Sequence, residues 1–285
     1  MTKKSILITG CSGYIGQHLQ KMLANFDYNV YGIDIKPNPL DDETINLNIR
    51  HDLPDWMLSF YDAPDYFDTV IHLAALVRVN ESVEKPWLYY DTNVNGTKNI
   101  LEQIKFKNFI FASTGAAEYC ASPYALSKRV AEDIVVEYCQ KNNCQYTTYR
   151  FYNVIGSEGI APTNPDGLFH GLIQARSTGV FNLYGDDWNT PDGSCLRDYV
   201  HVNEICHAII SAIETPANKV ENLGHGIGTS VKEMVSIFKQ VNNCDFEINV
   251  LPRRPGDVQC SVLKEVSPYM KTIYSIEELL HHGKI

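Results

Sequence analysis

Apolar positions in the first 150 residues follow two alternating rhythms. Short, nearly continuous apolar runs occur at 5–9 (SILIT), 29–34 (NVYGID), 44–48 (TINLN), 68–75 (DTVIHLAA), 108–113 (NFIFAS) and 146–154 (YTTYRFYNV). Runs of this kind are strands buried on both faces, as in a parallel sheet. Between them, 13–25, 86–104 and 123–141 have the helical period. In the second of these, Leu88, Val94, Ile100, Leu101 and Ile104 recur with the helical period, and in the third, Pro123 suits a first helical turn. Strands alternating with helices predict an α/β fold: a doubly wound parallel Rossmann sheet with right-handed crossovers. Ligands of such a sheet sit beyond the carboxyl ends of its strands.

After residue 155 the texture changes. Residues 156–195 are rich in Gly, Pro, Asn and Asp and read as irregular. Helical periodicity returns at 202–213 and 228–241, the latter with Thr229 or Ser230 as N-cap. The expected organisation is a dinucleotide-binding domain over 1–155 and a smaller, discontinuous substrate lobe over 156–285. Residues 196–215 are expected to cross back to the sheet. There are no internal repeats or low-complexity runs.

Composition narrows the function classes. With 285 residues, 44% hydrophobic and 20% charged, the chain can bury a large core without staples. A net charge of −10 argues against a nucleic-acid or anionic-membrane surface, so an anionic ligand needs a local group of cations. The eight cysteines form no CxxC pair and no zinc-spaced Cys/His cluster, so no metal is expected. Free thiols, no signal-peptide pattern at the N-terminus and no apolar run near ~20 residues predict a reducing, cytoplasmic setting.

The first strand runs directly into ILITGCSGYIG, with Gly10, Gly13 and Gly16 opening the first helix around Tyr14 and Ile15. Glycines in that place let the backbone approach a pyrophosphate at a helix N-terminus. Asp34 ends the second strand, where a carboxylate accepts from adenosine ribose hydroxyls and repels a 2′-phosphate; NAD rather than NADP is the expected cofactor. Leu73, Ala74 and Ala75 would let a flat cofactor lie against the fourth strand end.

Of the 17 tyrosines, only Tyr124 has a lysine, Lys128, four residues later. On a helix both share a face. A lysine ammonium beside a phenol favours the phenolate, and a nicotinamide cation would add to the effect. Such a phenol takes a proton from a sugar hydroxyl while the adjacent carbon loses hydride. Thr114, after the fifth strand, is placed to hold the substrate oxygen.

Glycine loop, Asp, Thr and YxxxK, in that order, resemble the extended short-chain dehydrogenase/reductases. Within them, the likeness is to the UDP-glucose 4-epimerases, also called UDP-galactose 4-epimerases. It spans nearly the whole chain: NESVEKPWLYYDTNVNGTKNILE (80–102), RFYNVIG (150–156), LYGDDWNTPDGSCLRDYVHV (183–202), NLGHGIGTSVKEM (222–234) and RRPGDV (253–258). The resemblance implies tightly bound NAD, a UDP-hexose substrate inverted at C4 through a 4-keto sugar, and a homodimer formed by the two long helices. It implies that Asn48, Ile49 and Asn93 join the cofactor set. It further implies that Asn153 touches the sugar or a phosphate, that Arg197 and Arg254 clamp the diphosphate, and that Asp257 lies near the uridine ribose. His201 and His225 are read as structural.

The chain departs from the family pattern at four points. Val77 stands where a lysine is usual, with Arg78 beside it as a possible substitute. Asn48 replaces an Asp at the adenine. The loop between Glu118 and Tyr124 is short, and so is the stretch between Gly156 and Leu168. A looser enclosure with room for an acetamido group follows. Two rival functions fit parts of the same pattern. A nucleotide-sugar 4,6-dehydratase or decarboxylase starts with the same oxidation, but dehydratases carry an Asp-Glu pair after the Thr. Here Thr114 is followed by Gly115, Ala116 and Ala117. A non-catalytic NAD-binding sensor commonly loses Tyr or Lys, and both are present.

Overall fold

The computed structural model describes residues 3–40, 44–54, 63–157, 159–266 and 274–280. Seven parallel strands form the main sheet in the order β10-β6-β5-β4-β1-β2-β3. These are β1 (Lys4–Thr9), β2 (Tyr28–Asp34), β3 (Ile45–Asn46), β4 (Phe67–His72), β5 (Phe106–Thr114), β6 (Gln145–Phe151) and β10 (Lys219–Leu223). The order reverses between β1 and β4, and the two strand ends there open a crevice.

Period-2 alternation sends successive side chains to opposite faces. Ile6 and Ile8 pack with Leu19 and Leu23 of α1 (Tyr14–Leu23) and with Ile205, Ile209 and Ile213 of α6 (Val202–Glu214). Leu7, Val70 and Phe109 face the other side. There they meet Ile100 and Leu101 of α3, and Ala131 and Val135 of α4 (Pro123–Asn142). Helix α3 comprises Pro86–Tyr90, a wide π turn at Asp91–Asn95, and Gly96–Gln103. It follows the short α2, Val79–Glu84.

A third core joins Phe169 and Leu172 of α5 (Leu168–Thr178), Phe181 of β8 (Val180–Tyr184), and Met234 and Phe238 of α7 (Val231–Val241). A four-stranded sheet pairs β9 (Leu196–His201) with β7 (Asn153–Ile155), β11 (Gly228–Ser230) and β13 (Cys260–Ser261). β8 pairs with β12 (Glu247–Leu251), and α8 (Ile276–Leu280) lies against α7.

Several elements differ from the sequence reading. The fourth strand stops at His72, and Leu73–Ala75 leave the sheet for the crevice. The run at 146–154 is two strands in two sheets: Tyr152 N–H still meets Leu223 O of the main sheet at 3.2 Å, and from Asn153 the chain pairs with β9 instead. Residues 228–230 are a strand, and the helix starts only after Ser230, whose Oγ accepts from Glu233 N. The stretch 156–195 contains α5, which Gly179 ends in the left-handed conformation, and β8. Helix α6 packs on α1, and β10 adds an edge to the main sheet. Among the described residues no helix is long and apolar enough to cross a membrane.

Candidate active site

A cleft of about 810 Å³ lies at the carboxyl edge of the main sheet and continues between it and the smaller sheets. At one end stands the glycine turn. Gly10 has φ +75°, and a side chain there would come within 2.6 Å of Ala74 N. A Cβ on Gly16 would sit 2.4 Å from Gly10 O. Only glycine lets this turn close on itself. Helix α1 starts at Gly13 with no side chain capping its first-turn amides, and Gly13, Tyr14, Ile15 and Gly16 line the cleft. An uncapped helix start with close backbone fits a pyrophosphate.

Asp34 accepts Ser12 N and Lys36 N, one on each oxygen and both at 3.0 Å. The carboxylate is thus aimed by the glycine loop and keeps further acceptor capacity. Leu73 and Ala75 line the cleft, and Ala74 N donates to Thr9 Oγ1 at 3.3 Å. Asn48 Oδ1 accepts from Arg50 N and Nε, and buried Ile49 packs at Gly96. Asn93 is fully buried and spends its amide on Leu76 N, Leu76 O and Ser127 Oγ at 2.8–3.0 Å. Asn48, Ile49 and Asn93 hold the walls behind the cleft and are not among its lining residues. Asn93 O also accepts from Thr97, which with Thr9 brackets His72 at 3.0 and 2.7 Å. Burial, with the Lys128 charge, pulls His72 down to about 3.

Tyr124 and Lys128 come from α4. Ser122 Oγ caps this helix by accepting from Ala125 N at 3.2 Å, and Pro123 follows in the first turn. That start fixes Tyr124 in the first turn and Lys128 one turn on. Thr114, at the end of β5, acts on the Tyr124 phenol and lowers its pKa, while its Oγ1 accepts from Ala116 N at 3.3 Å. Lys128 is buried with its Nζ 4.1 Å from the centre of the Phe111 ring. Tyr124, Lys128 and Thr114 all line the cleft beside the glycine turn.

The electrostatics differ from the sequence reading. Burial raises the Tyr124 phenol above its ordinary value, against an opposing pull from the Thr114 hydroxyl. Burial also takes Lys128 down to about 7, with Glu132 pulling it back up. Desolvation penalises both charged forms, so the neighbouring lysine alone does not turn Tyr124 into a phenolate.

At the far end, Asn153, Arg197, Arg254 and Asp257 line the same cleft. Asn153 Nδ2 donates to Asp198 O at 3.1 Å, and Arg197 Nη1 to Leu196 O at 2.9 Å. Arg254 lies over the Tyr184 ring at 4.4 Å, pairs with Asp257 at 3.1 Å, and donates to Asp166 O at 3.0 Å. Arg78 forks onto Asp166 at 2.7 and 3.2 Å, so its charge is committed there and does not replace the lysine absent at Val77. His201 Nδ1 accepts Asn203 N and caps α6, and His225 pairs with Glu204 at 3.1 Å. Sequence reasoning missed Asp166, Arg150, Ser113 and Glu132. Only Glu132 left a signal, lying one further turn along the face that carries Tyr124 and Lys128.

Sheet order, glycine turn and the Tyr–Thr–Lys group together define a dinucleotide-binding α/β protein of the short-chain dehydrogenase/reductase class. Residues 6–224 match the NAD dependent epimerase/dehydratase family, and the chain belongs to it. It is 31% identical over 293 residues to a UDP-glucose 4-epimerase of Yersinia enterocolitica, covering 89% of this chain and 87% of that protein. The crystal structure of the Bifidobacterium longum UDP-glucose 4-epimerase with NAD+ and UDP superposes with a TM-score of 0.84 at 25% identity, covering 98% and 96% of the two chains. The Thermotoga maritima UDP-glucose 4-epimerase with UDP-glucose gives 0.83 at 28% identity, covering 97% and 96%.

Proposed function

We propose that this chain is a UDP-hexose 4-epimerase working with tightly bound NAD and interconverting UDP-glucose and UDP-galactose. The observation that carries the reading is one cleft bearing a nucleotide-type glycine turn, a Tyr–Thr–Lys group and, farther along, two arginines. When bound, NAD supplies a hydride acceptor that is regenerated in every cycle. Tyr124 takes the proton of the C4 hydroxyl and later returns it; Thr114, lining the cleft with the same phenol, keeps that oxygen in line. Lys128 contributes positive charge beneath them. Arg197 and Arg254 hold the diphosphate, their planar forks matching phosphate oxygens. With the nucleotide anchored, the flat 4-keto hexose turns and offers its other face.

Dehydration is disfavoured by Glu118, the nearest carboxylate after Thr114. It is engaged by Asn222 at 2.8 Å and by Arg150 at 3.5 Å. Incubation with UDP-galactose should yield UDP-glucose, and the reverse, with no net NADH released. A 4-keto-6-deoxy product, or inert sugars on NAD-loaded protein, would overturn the assignment.

We infer a homodimer through α3 and α4, supported by Trp87, which is 80% exposed at the start of α3. A light-scattering mass near that of one 32.2 kDa chain would remove the dimer. The eight cysteines, all free, support a cytoplasmic setting; disulfides in protein isolated under thiol-blocking conditions would count against it.

A further inference from the structure

Behind the Tyr124–Lys128 pair lies a chain of charges, buried at Glu132 and reaching the surface at Glu118, with no part in the proton transfer above. Glu132, on α4 one turn past Lys128, is only 2% exposed. Its Oε1 accepts from Ser113 Oγ. Arg150, on β6, forks onto it through Nε at 2.9 Å and Nη2 at 2.7 Å. The remaining arm of Arg150 reaches Glu118 at 3.5 Å, and Glu118 accepts from Asn222 of β10 at 2.8 Å. The network therefore ties β5, the turn after it, α4, β6 and β10 together. Two of its anchor points adjoin reacting groups: Ser113 immediately precedes Thr114, and Glu132 follows Lys128 by one turn.

A buried ammonium requires a compensating charge. The groups facing Lys128 can be taken element by element. Its own helix supplies Tyr124 and Glu132. From β4 comes His72, which burial keeps neutral. From β5 comes the Phe111 ring face. From α3 comes Asn93, uncharged and bound to Ser127. From β6 comes Arg150, bound to Glu132. From the turn after β5 comes Glu118, spent on Arg150 and Asn222, which leaves Glu132 as the carboxylate acting on Lys128. Its oxygens are taken by Arg150 and Ser113, so it acts on Lys128 as a nearby charge and not as a contact, leaving the ammonium protons for the cleft.

We infer that Glu132 is a positioning residue for the epimerase reaction, held by Arg150 and Ser113 so that its charge keeps the Lys128 ammonium protonated under the reacting hydroxyl. The role in catalysis rests on the function proposed above, whereas the effect on Lys128 does not. Burial draws Lys128 down to about 7 with Glu132 in place, near the pH at which the enzyme must work. Loss of the carboxylate should leave most of the lysine neutral there.

The test is a titration of Lys128 by NMR in protein carrying 13C at lysine Cε, with the resonance assigned from Lys128→Met. In Glu132→Gln the Lys128 midpoint should fall by about one pH unit or more. The alkaline limb of the kcat profile should move down with it, cutting kcat at pH 7 roughly fivefold while KM stays unchanged. Ser113→Ala keeps the charge and should leave the midpoint in place. Glu132→Gln strands a largely buried guanidinium; if it fails to fold, Arg150→Gln leaves the carboxylate without its opposing charge and should raise the midpoint instead. A Lys128 midpoint unchanged in Glu132→Gln, or in Arg150→Gln where only that variant folds, overturns the inference. If wild-type protein leaves UDP-hexoses inert, the function assignment fails by itself, and the titration still decides what Glu132 does to Lys128.

Discussion

Tyr124 retains its proton in the protein as folded, because burial disfavours the phenolate more than Thr114 favours it. In the proposed role this is an advantage: the phenol would gain acidity only when a cation and a hydroxyl enter the cleft beside it. Tyr124→Phe should therefore lower kcat by about a hundredfold or more while UDP affinity, read by calorimetry, stays within a few-fold. Near-normal turnover in that variant would place the proton transfer elsewhere. Asp34 offers a second residue-level test. Its carboxylate is pinned by two backbone amides at the glycine loop, where it would accept a ribose hydroxyl. Asp34→Ala should erode the preference for NAD over NADP by roughly tenfold, the worth of one charge-assisted hydrogen bond. An unchanged cofactor ratio would separate Asp34 from the ribose. Tyr124, Lys128, Thr114 and the glycines were legible because each is tied to a strand end or a helix spacing. Asp166 and Arg150 were not, since their partners lie 88 and 18 residues away and nothing local marks them.

At the level of elements, legibility followed periodicity. β1, β2, β5 and α4 are long or continuously apolar and were read within a few residues of their observed ends. The six-residue α2 is too short to show a period, and β7 was fused to β6 because the apolar run continues through Tyr152 while the backbone turns away. In 156–195, glycines and prolines hid an eleven-residue helix whose buried positions are Phe169, Leu172 and Ala175. The strand end at His72 has a consequence for stability. Its ring is fully buried between two threonines, and its pKa is depressed from 6.5 to about 3. The unfolded chain takes up this proton first, so the contribution of His72 is complete above pH 6.5 and is lost as pH falls below it. His225 has the opposite sign. Raised by its hydrogen bond to Glu204, it loses its contribution only as pH rises above 6.5. Urea unfolding should thus show a loss of about 1–2 kcal/mol between pH 6.5 and pH 5 that His72→Gln abolishes. An equal loss in the variant would show that another group titrates in that window.

Across the whole molecule, a net charge of −10 opposes any anionic ligand, and the cleft answers with a few placed cations. Arg78 contributes little net charge, being matched by Asp166. Arg197 donates to the Leu196 carbonyl, a contact that leaves its charge uncancelled. Arg254 is intermediate: Tyr184 flattens it, Asp166 O fixes one arm, and Asp257 offsets its charge. Removing Arg254 would therefore do two things at once. It deletes the proposed phosphate ligand, and it leaves the Asp257 carboxylate, only 14% exposed, without its paired cation. Arg254→Ala should raise KM for UDP-galactose by about 10–100-fold, the loss of one hydrogen-bonded charge. Asp257→Asn in that background should recover part of the loss, most visibly at low salt, where the stranded carboxylate repels most strongly. Additive effects of the two substitutions, or no salt dependence, would mean that Arg254 and Asp257 do not act together on the diphosphate and that Arg197 alone carries the anion.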